Sequence, residues 1–205
     1  VFLDSNTVNV FINFLMDQAE LFAPHKEGEK SFVYKEVTNA DDVVLDYPRT
    51  IQPLKKFFLP PKETLLKFNI QKNDFENQAV EVKKRIFFAV HSYEIQAIHR
   101  LDHSFKTGNP ESNYLNRREQ SIFIGISYKP DDYHFAKSVG LEIERTDGMS
   151  LYMEPYEAGY FVFIIDDIGK KLIDDFSKAD RKKKFESLVE KEFKQKIKYH
   201  YNRLP

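Results

Sequence analysis

The sequence predicts a mixed α/β domain, a partly parallel sheet flanked by helices and followed by a helical C-terminal extension. Three observations carry this. Apolar strand candidates alternate with a helical pattern in the middle of the chain, which is how parallel strands are usually joined. The chain has 205 residues, a length that suits one domain with an appendage. Hydrophobic residues make up 41% and charged residues 31%, enough for a core and a solvated surface.

Residues 6–22 read as the first helix, because Val8, Phe11, Ile12, Leu15 and Met16 recur at helical spacing. Asp4, Ser5 and Asn6 are its capping candidates, and Pro24 is expected to end it. Residues 31–37 read as a strand and 43–45 as a short second one. Residues 46–63 hold four prolines, which forbid regular structure. Their apolar members Ile51, Leu54, Phe57, Phe58 and Leu59 call for burial, so an ordered loop packed across the domain is expected. Residues 85–90 and 121–126 are buried-strand candidates. Between them residues 93–106 read as a helix with Ile95, Ile98, Leu101 and Phe105 on one face. A short helix over 133–138 and strands at 151–153 and 160–165 complete the domain, which is taken as residues 1–168.

Residues 169–205 are read as a charged helical extension. Leu172, Ile173 and Phe176 suggest a short helix. A longer one over 180–201 carries Phe185, Leu188, Val189, Phe193 and Ile197 at three- to four-residue spacing. Its run Lys182, Lys183, Lys184 is either a solvated face or a docking patch for an acidic partner.

Composition excludes several classes. The formal net charge of -1 gives no bulk attraction to nucleic acid or to a membrane surface. The longest apolar run, Phe161 to Ile165, is far too short to span a bilayer. No secretory leader is read, and cytoplasm is the expected compartment. With 0 Cys the sequence offers no disulfide, thiol nucleophile, cysteine zinc site or thiolate-held cluster. Phosphate loops, dinucleotide fingerprints and nucleophile elbows are also missing from it. The 19 Phe and 11 Tyr are a heavy aromatic load, part core and part contact surface.

A series of short segments stands in order along the chain. Leu21-Phe-Ala-Pro24 follows the first helix. Pro53-Leu-Lys-Lys-Phe-Phe-Leu-Pro-Pro-Lys-Glu63 comes next, then Ala89-Val-His-Ser-Tyr-Glu-Ile-Gln-Ala-Ile98 with Leu101, Asp102 and Phe105. Tyr114-Leu-Asn-Arg-Arg-Glu119 follows, then Ile124-Gly-Ile-Ser-Tyr-Lys-Pro130 and His134-Phe-Ala-Lys-Ser-Val-Gly140. Together they resemble the N-terminal domain of the sulfhydrogenase beta subunits and of the A subunit of anaerobic sulfite reductase, which are iron–sulfur electron-transfer subunits. The resemblance runs from about the first helix to Gly169. It sets the family's cysteines at Tyr93, Tyr128, His134 and Ala136.

None of those four is a thiolate here, and bridged iron–sulfide clusters want soft sulfur. No cofactor is therefore expected. The family's Cys-rich, ferredoxin-like C-terminal part is not in the sequence either, which leaves open whether the natural chain continues past Pro205. The resemblance implies a cluster-less scaffold that docks a redox partner of flavoprotein, hydrogenase or sulfur-reductase type, or that pairs with itself. Two alternatives stand beside it. One is a small-ligand or enzymatic domain reusing the vacated pocket, where two tyrosines and a histidine can move protons. The other is a piece of a larger iron–sulfur oxidoreductase subunit.

The binding candidates are His91, Glu94, Arg117 and Arg118. The adjacent arginines either grip an anion bidentately or pair internally with Glu94 or Asp102. No catalytic residue and no metal ligand is assigned. His99 and His103 share a helix face, but Arg100 stands where a zinc peptidase carries its glutamate. Asp166 and Asp167 read as a turn with a helix cap, with a catalytic pair as the other possibility.

Overall fold

The computed structural model describes residues 1–71, 74–77 and 81–179. In chain order the elements are β1 (Phe2–Asp4), α1 (Ser5–Gln18), β2 (Glu20–Glu27), β3 (Ser31–Glu36), β4 (Leu66–Asn69), β5 (Asp74–Asn77) and β6 (Arg85–Val90). Then follow α2 (Ser92–Lys106), α3 (Ser112–Glu119), β7 (Ser121–Ile126), β8 (Leu151–Tyr156), β9 (Gly159–Ile164) and α4 (Asp167–Ala179). One seven-stranded mixed sheet has the order β1-β9-β8-β7-β6-β2-β3. Strands β2, β6, β7 and β8 run parallel, and the outer strands join antiparallel. The mixed α/β class read from the sequence is the one observed.

Side chains of the central strands alternate between two cores, as a period of two requires. Ile86 and Phe88 of β6, Ile122, Ile124 and Ile126 of β7, and Leu151 and Met153 of β8 pack in one core with Phe11, Ile12 and Leu15 of α1 and Leu172, Ile173 and Phe176 of α4. Phe87, Phe123 and Tyr152 join the other core, with Ile95 and Ile98 of α2, Tyr114 of α3, and Leu54 and Phe58. Helices therefore cover both faces of the sheet.

Asp4 caps α1 by accepting the amide of Thr7 at 2.8 Å. The helix stops at Gln18, short of the expected 22, because residues 20–27 form β2. Pro24 does not terminate the helix. It lies within β2 beyond Phe22, the last residue paired to β6, where a strand tolerates proline. Residues 43–45 make a single bridge, Val43 to His25, in place of a strand. The expected helix at 133–138 is only a short 3-10 turn, Lys137–Val139.

The proline-rich stretch does cross the domain. Tyr47, Leu54 and Phe58 are buried, but Ile51 is exposed, since its amide bonds the Phe32 carbonyl at the sheet edge. The periodicity gave no sign of α3. Its eight residues hold only Tyr114 and Leu115 as large apolar groups, and Glu111 caps it by accepting the amides of Asn113 and Tyr114. Strands β4 and β5 form a separate two-stranded ribbon, also not foreseen. Residues 180–205, with the basic run and the long amphipathic pattern, lie outside the described residues.

Candidate functional site

The site forms where β6 and β7 end side by side, at the carboxyl edge of the parallel strands, the usual place for ligands in such sheets. Ala89 near the end of β6 has φ +57°, a left-handed conformation strained for a residue with a Cβ. There the pairing of β6 to β7 slips between Phe87 and Val90. Two phenols pin this kink: Tyr47 and Tyr34 donate to the Ala89 carbonyl at 2.6 and 2.9 Å, and their hydroxyls lie 2.8 Å apart. The chain then turns into α2 with His91 at the N-cap position and Tyr93 in the first turn. From β7, Ser127 leads to Tyr128, and the following loop returns His134.

These side chains meet. The imidazole of His91 is fully buried and lies flat between Tyr47 and Tyr128, with ring centroids 4.0 Å away on each side and planes within 13° and 17°. Tyr93 stands edge-on to His91, Tyr128 and His134 at 5.5 to 5.6 Å. The Tyr128 Oη and His134 Nε2 are 2.8 Å apart. Ala136 is buried in the same loop, and its carbonyl accepts the amides of Val139 and Leu141.

Burial sets the charge state. Desolvation drives His91 down to about 3, with His134 adding repulsion, so its ring is neutral. Neither of its nitrogens has a hydrogen-bond partner among the described residues. Desolvation also lowers His134, against a smaller upward pull from Asp131. Burial raises the phenols of Tyr93, Tyr34 and Tyr47, which stay protonated. An iron–sulfur cluster does not fit this donor set. It offers two phenols, one imidazole and a methyl group, and the three rings at the four positions press on one another. Among the described residues, no group of three or more His, Cys, Asp or Glu side chains converges as a metal site.

The other candidates sit outside the ring cluster. Glu94, next to Tyr93, is buried and accepts the Leu54 amide at 3.0 Å; desolvation pushes it up to about 7, with that hydrogen bond and Lys55 opposing. Arg117 is buried in a two-pronged ion pair with Glu63 and donates to the Phe58 carbonyl at 3.1 Å. Arg118 Nε donates to Asp102 at 3.1 Å, and its guanidinium lies 5.0 Å from the Phe123 ring centroid. Both arginines are thus engaged in ion pairs, with Glu63 and Asp102 and not with Glu94.

Asp166 caps α4, accepting the Gly169 amide at 2.8 Å and the Ser150 hydroxyl at 2.9 Å. A cleft of about 840 Å³ lies at the opposite, amino ends of β7 and β8, lined by Arg118, Ser121, Met149, Ser150, Asp166 and Ile168 among others. Sequence reading did not single out Tyr34 or Tyr47. The surplus of tyrosine was the only available signal, because their partner is a backbone carbonyl at Ala89.

No protein-family model matches the chain, and no solved structure matches it. Among curated proteins it is 32% identical over 199 residues to sulfhydrogenase 2 subunit beta of Pyrococcus furiosus. The alignment takes in 91% of this chain and 57% of that protein, so the chain spans little more than half the length of the relative it matches.

Proposed function

We propose that this chain, a relative in sequence of the sulfhydrogenase beta subunit, is a cluster-less docking module for a redox partner of flavoprotein, hydrogenase or sulfur-reductase type. One observation supports this above the rest. Tyr93, Tyr128 and His134, three of the positions that the resemblance gives to cluster cysteines, come together in space and close the site with edge-on and tilted ring contacts. Sequence similarity to a subunit of a redox complex, combined with rings at the positions expected to bind a cluster, supports a role in holding a partner. The reading that a small ligand reuses the vacated site has less support, because His91, Tyr128 and Tyr47 are already in contact there. We place the module in the cytoplasm as part of the same proposal. No helix among the described residues is long and apolar enough to cross a membrane.

The test uses the native gene product, since the relative is longer than this chain. Co-expression with the hydrogenase-type and flavoprotein subunits of its own genome, followed by gel filtration and iron and sulfide analysis, decides it. A stable complex in which this chain contributes neither iron nor acid-labile sulfide is expected. Elution apart from every such subunit refutes docking, and stoichiometric iron and sulfide in the isolated chain refutes the cluster-less reading.

A further inference from the structure

The rings that close the site also make a chemical pair. Tyr128 Oη and His134 Nε2 are 2.8 Å apart, within the range over which a proton passes directly between heavy atoms. Behind Tyr128 the rings continue inward through His91 to Tyr47, each step 4.0 Å between centroids, and the Tyr47 hydroxyl lies 2.8 Å from that of Tyr34. Tyr128 and His134 are only partly buried, so the outer end of this column reaches solvent while the inner end is sealed.

We propose that Tyr128 and His134 form a proton-coupled redox pair that takes up an oxidising equivalent from a strong one-electron oxidant, of the class of oxygen-derived radicals. The oxidant gains one electron from the Tyr128 ring. The phenolic O–H bond breaks, and its proton forms an N–H bond at His134 Nε2. The products are a neutral tyrosyl radical, an imidazolium and the reduced oxidant. A phenol that loses an electron becomes a strong acid, so a base already in contact is what makes the step accessible.

The surroundings point to Tyr128 over the other buried tyrosines. The hydroxyls of Tyr47 and Tyr34 face the Ala89 carbonyl and each other, and neither is a useful base. Tyr114 does touch a base, Asp102 at 2.7 Å, but that carboxylate is already held by Arg118 and the ring is fully buried. His134 is kept in its neutral, proton-accepting form by desolvation. Tyr133 is 75% exposed and would react without assistance, so it must be removed from any measurement.

The chain alone, carrying Tyr133→Phe, serves for the test, which does not depend on the docking proposal. Photogenerated tris(bipyridine)ruthenium(III) is the oxidant, and the tyrosyl radical is followed by transient absorbance and freeze-quench electron paramagnetic resonance. Tyr128→Phe should abolish the fast phase of radical formation. His134→Ala should slow it by roughly 100-fold, the low end of what a positioned base contributes. His134→Gln, which keeps a hydrogen-bonding group near Tyr128 but not a base, should slow it as much. The Gln variant decides the matter if the Ala variant does not fold. A fast phase that survives Tyr128→Phe overturns the proposal, and so does a parent-like rate in His134→Gln.

Discussion

Replacing Glu94 by glutamine should stabilise the protein in alkaline solution and leave it nearly unchanged in acid. Glu94 is 5% exposed, and its carboxylate accepts the Leu54 amide. Burial holds its proton up to about 7, against 4.5 in an unperturbed carboxyl. In the unfolded chain the proton leaves near the lower value. The folded state therefore binds more protons between the two, and stability falls as pH rises through that window. At about 1.36 kcal/mol per pH unit, the full displacement amounts to about 3 kcal/mol. That stability is present below 4.5, is lost progressively up to about 7, and does not return at higher pH.

Glutamine cannot ionise, yet its carbonyl can still accept the Leu54 amide. Urea unfolding followed by circular dichroism at about pH 5 and about pH 8 gives the comparison. Glu94→Gln should gain about 3 kcal/mol over the parent at the higher pH and within about 1 kcal/mol of nothing at the lower. Equal effects at both pH values, or a loss at about pH 8, would mean that Glu94 carries no such burden in the fold. Glu154 is pushed up to about 7 by burial, against a hydrogen bond from Ser127, so the parent should keep part of its pH dependence until Glu154→Gln is added.

Other substitutions test other joints of the structure. Ala89→Val puts a β-branched residue at φ +57° and should cost about 2–3 kcal/mol, read from the urea midpoint; a neutral result would place the backbone elsewhere. Arg117→Met leaves Glu63 and the Phe58 carbonyl without their partner in a buried setting, with an expected loss of about 3–5 kcal/mol. Adding Glu63→Leu should recover much of it, and a double variant no better than the single would refute the pairing. Gly169→Ala would bring a Cβ to 1.9 Å from the Ser150 carbonyl oxygen, so α4 must shift away from β8. Thermal unfolding should show a loss of about 1–3 kcal/mol, and an unchanged midpoint would show that the helix does not pack so closely.

Local pattern made the central elements legible. Ile86–Val90 and Ile122–Ile126 are continuous runs without a polar side chain, and α2 carries a clear 3.6-residue stripe, so both elements announce themselves without tertiary help. The want of sulfur ligands was equally plain, because a residue type missing from the sequence cannot be supplied by folding. The convergence of Tyr93, Tyr128 and His134 was visible only through the resemblance, since they come from a helix start and a loop that no periodicity connects. Tertiary structure decided the rest. Pro24 became part of a strand because β3 was there to pair with it, and Tyr47 became the lid of His91 because a kinked carbonyl at Ala89 held its hydroxyl. Periodicity reports which face of an element is apolar, whereas which ring meets which depends on strand order and register, and those follow from contacts between residues far apart in the chain.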